Sequence, residues 1–371
     1  MRVSCECCGI ETDLSVNDWC CECGHAWEPF LSELRFNPKD IHRSDYSIWR
    51  YGEMLGLDIS QPFKRFGVGW TPLVPAHLFG HAIHLKLEYL SPSGSFKDRG
   101  TNTMVNQLIH LGVENLIEDS SGNAGASLAA HAARYGLNAR IFVPEYASPA
   151  KIHQIGIYGA EIIKVPGTRR DVEQAAINAV ASSNSVYASH AYHPAYLAGQ
   201  LTAAWELWEK LGRRAPDWII SPVAQGGQFL GFWLGFKLLL QEGLVEHLPR
   251  LVAVQAEKVA PLHIAWEQRL ADVPAIESPG STIAEGVAVQ NPVRGKRLLQ
   301  ALRETKGFTL AIAESDIVPA QKLLARQGYY VEPTSALVIA AFRKMRELVK
   351  QEQMIVLVLT GNGLKGAPQI S

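Results

Sequence analysis

Ser93-Gly94-Ser95-Phe96-Lys97-Asp98-Arg99-Gly100 sets one lysine, Lys97, between small flexible residues and the start of a predicted helix. An amine in that surrounding sheds its proton once partly desolvated, and the neutral form is a nucleophile toward a carbonyl carbon. Most lysines are solvated surface charges, so the stretch gains its weight from three later loops. Each follows an apolar run and precedes a predicted helix or turn. Ser120-Ser121-Gly122-Asn123-Ala124-Gly125 offers backbone N–H groups at a helix start, where an anion such as a carboxylate binds. The plainer reading of Asn123 is an N-cap in an ordinary turn. Ala224-Gln225-Gly226-Gly227-Gln228 carries two adjacent glycines before a helix, which lets backbone wrap a phosphate. It matches neither a P-loop nor a dinucleotide fingerprint. Leu359-Thr360-Gly361-Asn362-Gly363 places a neutral hydroxyl, Thr360, beyond the carboxyl end of a strongly apolar strand.

Around these loops the chain alternates short apolar runs with amphipathic stretches. Strands are expected at Ile141–Val143, Glu161–Val165, Val186-Tyr187, Trp218–Ser221, Leu251–Gln255 and Ile355–Leu359. Helices are expected at Ala124–Tyr135, Ala150–Tyr158, Asp171–Ala181 and Gly199–Leu211, after Ser315, and from Pro333. Continuous apolar strands alternating with helices predict an α/β fold: two doubly wound domains of parallel sheet covered on both faces. Strand spacing is too uneven for an eight-unit barrel. The aromatic segment 31–70, with Trp49, Tyr51 and Trp70, reads as a covering segment.

The 371 residues are 47% hydrophobic and 19% charged, with a net charge of −1. Such a chain can build two domains, and it lacks the basic field of a nucleic-acid or anionic-membrane binder. Its most apolar run, Phe229–Leu240, contains Lys237 and is too short to span a bilayer. No secretion signal is read at the N-terminus, so cytoplasmic residence is expected.

All six cysteines fall within the first 23 residues. A disulfide framework for the fold is therefore not expected. Cys5 and Cys8 precede Gly9, and Cys20 and Cys23 precede Gly24, which is the spacing of two zinc-ribbon knuckles. Four thiolates close the coordination sphere, so the predicted zinc is structural. Cys7 and Cys21 are extra and either could compete as a ligand, and His25 is a further candidate.

At this point the sequence resembles the fold type II (β-family) pyridoxal 5′-phosphate enzymes, and among them the threonine synthases. The resemblance lies in Ser91 to Gly100, Ser120 to Gly125, Tyr158-Gly159-Ala160, Thr282 to Gly286, Val331 to Ala336 and Leu359 to Lys365. It runs in family order from about residue 65 to the end. It implies that Lys97 carries the cofactor covalently and that Asn123 faces the cofactor's phenolic oxygen. Gln225, Gly226, Gly227 and Gln228 would cradle its phosphate, and Thr360 would meet its pyridine nitrogen. Ser93 and the loop Ser120, Ser121, Gly122 and Ala124 would hold a small amino-acid substrate. It also implies a ribbon at 1–30, a large cofactor-binding domain from 31–97 and 201–371, a small mobile domain at 98–200, and a homodimer. A hydroxyl opposite the ring nitrogen cannot hold a proton there, so elimination and replacement are expected over transamination. The activity implied is a lyase converting O-phosphohomoserine to threonine.

One stretch departs from the pattern. Threonine synthases commonly read Asn-Pro-Tyr-Arg where this chain has His193-Pro194-Ala195-Tyr196, so Tyr196 stands at the position of the arginine that helps hold the substrate phosphate. His190 stands where an asparagine is common. A tyrosine cannot make a bidentate charged clamp. Lys86, His190 and His193 are the candidate replacement charges. Without one, the expected substrate is another amino acid, as in a serine/threonine ammonia-lyase or a β-replacement enzyme. A contrasting reading is a non-catalytic descendant that uses the ribbon to bind proteins; the intact Lys97 argues against it.

Overall fold

The computed structural model describes residues 1–16, 18–57, 63–147, 149–277 and 280–365. Three short strands open the chain, Arg2–Ser4 (β1), Glu11–Asp13 (β2) and Glu28–Pro29 (β3), followed by Leu73–Leu78 (β4) and His81–Leu87 (β5). Next come Lys97–His110 (α1), Asn115–Glu118 (β6), Asn123–Tyr135 (α2), Asn138–Pro144 (β7), Pro149–Ile157 (α3), Glu161–Val165 (β8), Arg169–Ala181 (α4), Val186–Tyr187 (β9) and Pro194–Lys210 (α5). The remainder is Trp218–Pro222 (β10), Gly227–Gln241 (α6), Arg250–Ala256 (β11), Pro261–Glu267 (α7), Gly295–Glu304 (α8), Phe308–Ile312 (β12), Glu314–Ala325 (α9), Pro333–Met345 (α10) and Ile355–Leu359 (β13).

Two compact units result: Met1–Trp70 with Ser91–Thr202, and Thr71–Leu90 with Ala203–Ser371. The expected grouping of 31–97 with 201–371 differs from this division. Segment 31–70 falls in the first unit, where Lys64 N donates to Asn106 Oδ1 at 2.6 Å and Phe66 packs edge-on against His131.

The first unit holds a four-stranded sheet in the order β8-β7-β6-β9, every pairing parallel. Local chemistry sets its helices. Gly136 ends α2 at φ +76°, a left-handed conformation that glycine adopts without strain. Thr168 and Asp171 form a capping box at the start of α4. The same unit contains the small antiparallel sheet β2-β1-β3, whose core is Val3, Cys5, Leu14, Cys21 and Trp27.

The second unit holds a six-stranded sheet, β12-β11-β10-β13-β5-β4. The expectation of wholly parallel sheets needs one correction here: β4 and β5 pair antiparallel as a hairpin. The two turn residues, Phe79 (φ 51°) and Gly80 (φ 85°), both have positive φ, the geometry that matches strand twist in a two-residue hairpin. Phenylalanine is a poor marker for such a turn, which hides the hairpin from sequence reasoning. Helix α10 buries Leu337, Ile339, Ala340, Ala341 and Phe342 in the core of this sheet. No helix among the described residues is long and apolar enough to cross a membrane.

Candidate active site

Within the first unit, Lys97 opens α1. The residue keeps partial exposure while its amine is desolvated. Burial brings that amine down to about 8, against a smaller upward pull from the Glu118 carboxylate. The turn leading into α1 is fixed by Asp98, which accepts from Ser93 N at 2.7 Å, Ser93 Oγ at 2.5 Å and Ser127 Oγ at 2.6 Å. The hydroxyl of Ser93, expected to meet substrate, is thus bonded to Asp98. Ser95 Oγ is fully buried and has no hydrogen-bond partner among the described residues.

Strand β6 ends in Glu118, and the loop Ser120–Gly122 then leads into α2. The helix start carries no side-chain cap, and a helix N-terminus is a favourable place for an anion. Ser120 to Asn123 are partly exposed between the buried Asp119 and Ala124. Gly125 is required by close approach: a Cβ there would sit 1.9 Å from the Ser120 carbonyl oxygen.

The residues before this loop are ones that sequence reasoning misses. Glu118 accepts from His190 N at 3.1 Å and pairs with His190 Nδ1 at 3.0 Å. Burial pushes its carboxyl up, while hydrogen bonding and the charges of Arg169 and Lys97 oppose that. Asp119, also raised by burial, is held by Arg169 at the start of α4. Two consecutive acids, Glu118 and Asp119, just before the loop that leads into α2 are the visible signal in the sequence. Tyr196, on α5, is 2% exposed, and its ring centroid lies 6.0 Å from that of His190. Neither its hydroxyl nor the side-chain amide of Gln200 one turn on has a hydrogen-bond partner among the described residues. His193 Nδ1 accepts from Ala195 N at 3.2 Å at the start of the same helix.

Within the second unit, Gly226 caps α6 at φ 84° with no side-chain cap. A Cβ at Gly226 would lie 2.4 Å from Leu298. Gln225 Oε1 accepts from Val293 N at 2.9 Å, and the buried side-chain amide of Gln228 has no partner among the described residues. Thr360 is 3% exposed, and its Oγ1 lies 3.0 Å from Ser335 Oγ. Ser335 Oγ in turn accepts from Thr360 N and Gly361 N, both at 2.9 Å.

Lys86, a candidate substrate-binding charge, is already paired within the protein. It is fully buried in the second unit, donating to Glu206 Oε2 at 2.7 Å and Thr71 O at 2.8 Å, with Glu88 at 3.8 Å. On β5 it takes the face opposite the core residues Ile83, Leu85 and Leu87, and there two carboxylates meet it.

The residues fit pyridoxal 5′-phosphate in kind: a desolvated amine, two uncapped helix starts for anionic groups, buried polar side chains without partners, and a neutral hydroxyl after β13.

The cysteines converge differently from their spacing. Cys5, Cys8, Cys21 and Cys23 bring their sulfurs within 4.8 Å of one another. Cys21 replaces the expected Cys20 because the second knuckle is shorter: Cys21 N donates to His25 O at 2.8 Å and Gly24 N to Cys21 O at 2.7 Å. In the first knuckle Cys5 N reaches Ile10 O at 2.8 Å and Gly9 N reaches Cys5 O at 2.8 Å. The sulfur pairs Cys5–Cys23 at 3.4 Å and Cys8–Cys21 at 3.5 Å are close to the roughly 3.8 Å edge of a tetrahedral Zn–S₄ site.

Comparison with known proteins places these observations. A family profile described as "Pyridoxal-phosphate dependent enzyme" matches residues 64–361. A threonine synthase of Methanocaldococcus jannaschii is 33% identical, covering 96% of this chain and 91% of that one. A threonine synthase of Synechocystis sp. is 34% identical over 85% of this chain and 82% of its own. Among solved structures, a threonine deaminase from T.th. superposes with a TM-score of 0.70 at 27% identity, covering 80% of this chain and 94% of that one. Maize serine racemase shares the fold at TM-score 0.70 and 22% identity, covering 79% of this chain and 88% of that one.

Proposed function

The chain belongs to the pyridoxal-phosphate-dependent enzymes, and on that premise we propose that it is a carbon–oxygen lyase of threonine-synthase type, releasing phosphate from O-phosphohomoserine and delivering threonine. The observation that carries the reading is Lys97: an amine lowered to about 8 by burial, in the same unit as an uncapped helix start.

When bound, pyridoxal 5′-phosphate supplies the electron-withdrawing ring that makes an amino-acid α-proton removable. In this reading Lys97 would hold the cofactor and, as a neutral amine, would take the substrate α-proton. Backbone N–H groups of Ser120 to Ala124 bind the substrate carboxylate, and Asn123 faces the phenolic oxygen. The N–H groups of Gln225 to Gln228 bind the cofactor phosphate. Thr360, backed by Ser335, offers a hydroxyl to the ring nitrogen and favours elimination and replacement. Zinc on Cys5, Cys8, Cys21 and Cys23 is part of the proposal, as are a homodimer and cytoplasmic residence.

The test is turnover: cofactor-loaded protein with O-phosphohomoserine should release threonine and phosphate in equal amounts. A protein that binds the cofactor and releases neither would overturn the assignment. A second reading, net deamination of serine or threonine by loss of water and then hydrolysis of the resulting imine to release ammonia, is favoured by Tyr196 at the arginine position. Keto-acid formation from those amino acids would identify it.

A further inference from the structure

Of the three charges offered in place of the missing arginine, the geometry removes two. Lys86 is tied to Glu206 in the second unit. His193 uses Nδ1 as an acceptor, which keeps that nitrogen unprotonated, and a cation there would face the positive end of α5. His190 is different. Its Nδ1 and its backbone N–H both meet the buried Glu118 carboxylate, at 3.0 and 3.1 Å. Whichever partner carries the shared proton, the bond between Glu118 and Nδ1 fixes the ring orientation. Its ring stands 6.0 Å from that of Tyr196, the position at which the resemblance implies an arginine.

We propose that His190, oriented by Glu118 and charged as an imidazolium, binds the leaving phosphate of the substrate in place of an arginine. This rests on the threonine-synthase reading above. Glu118 is then a positioning residue, and His190 the residue that touches substrate. The Glu118–His190 pair shares one proton. A dianionic phosphate beside the imidazole favours the imidazolium–carboxylate form over the neutral pair, so the charge is strengthened when substrate arrives. The other charged and titratable groups around the pair are Asp119 with its Arg169 partner, Lys97, and the phenols Tyr187 and Tyr196. Arg169 offsets Asp119, so Glu118 is the carboxylate matched to His190.

Two measurements separate this inference from its premise. In steady-state kinetics, His190→Gln should raise KM for O-phosphohomoserine at least about tenfold with a smaller change in kcat. Its cofactor absorbance should be unchanged, and adding Tyr196→Arg should bring KM back. Glu118→Gln should show the same KM-weighted loss to a lesser degree. Wild-type turnover with an unaltered KM in His190→Gln overturns the inference alone, whereas no wild-type turnover overturns the premise. In that case nitrogen-15 NMR of the cofactor-loaded wild type still decides the inference. With saturating inorganic phosphate at about pH 7.5, both His190 ring nitrogens should be protonated. A neutral ring that does not respond to phosphate overturns it.

Discussion

At the scale of the residue, the proposed chemistry rests on how Lys97 loses its charge. Burial disfavours the ammonium and brings the amine from its ordinary 10.5 to about 8, while Glu118 pulls the other way. Because the depressed group becomes neutral as pH rises through about 8, its nucleophilicity should rise over the same range. In cofactor-free protein, reductive methylation of Lys97, followed by peptide mass spectrometry, should reach half its maximal rate near that pH. Glu118→Gln removes the stabilising charge and should move the midpoint lower. A midpoint near 10.5, shared with surface lysines, would show the amine to be solvated. Lys97 is legible in the sequence because the residues that surround it are contiguous. Glu118 and His190 are not legible as a pair, since they lie on β6 and after β9, and only the parallel pairing of those strands brings them together. Lys86 misleads for a related reason: period-two alternation on β5 says which face it takes, not that Glu206 waits there.

Among the elements, the strands legible in the sequence are the short apolar runs of the parallel sheets. Glu161–Val165, Val186–Tyr187 and Ile355–Leu359 form at the expected residues. Helix α5 begins at Pro194 instead of Gly199, because Gly199 is an interior contact point. A Cβ at Gly199 would lie 2.3 Å from both Arg99 O and Thr103 Oγ1, and one at Gly100 would lie 2.6 Å from the Tyr196 ring. The two helices therefore approach through glycines, and Thr103 Oγ1 donates to Ala195 O at 2.7 Å across the contact. Glycine is disfavoured inside a helix by about 0.5–1 kcal/mol relative to alanine, so sequence reasoning takes it for a boundary. The geometry reverses the usual sign: Gly199→Ala should destabilise by about 1–3 kcal/mol, through overpacking against backbone that cannot yield cheaply. Urea unfolding gives the measurement. A Gly199→Ala protein as stable as wild type, or more so, would mean that α1 and α5 part without cost. The hairpin β4–β5 and the short helix α7 stay hidden for the opposite reason. Their signals are weak locally and depend on sheet and helix packing supplied from elsewhere in the chain.

At the scale of the molecule, the proposed ribbon, built on β2-β1-β3, contrasts with both larger sheets, because its core among the described residues is the buried cluster Val3, Cys5, Leu14, Cys21 and Trp27. Such a cluster is too small to fold a segment of this length alone, and a metal is the usual supplement. Trp19, carried on the loop between the knuckles, stacks edge-on against Tyr187 at 5.1 Å and Tyr192 at 5.0 Å, which ties the ribbon to the end of β9 in the same unit. The sequence spacing favours Cys20 as fourth ligand; the turn geometry favours Cys21, since its N–H and carbonyl close the second knuckle. Substitution separates them. Cys21→Ser should lower bound zinc from one equivalent to a small fraction, as read by elemental analysis, while Cys20→Ser should retain it. Amide hydrogen exchange should then show β1, β2 and β3 losing protection in the Cys21→Ser protein. The parallel sheet β8-β7-β6-β9 should keep its protection, because its core of Leu116, Ile141 and Val143 is fully buried and the N-terminal segment meets it through flanking contacts such as that of the partly buried Val16. Zinc lost with Cys20→Ser instead would return the ligand set to the spacing rule. Full protection of β1–β3 without metal would mean that five side chains and one tryptophan contact suffice to hold the ribbon.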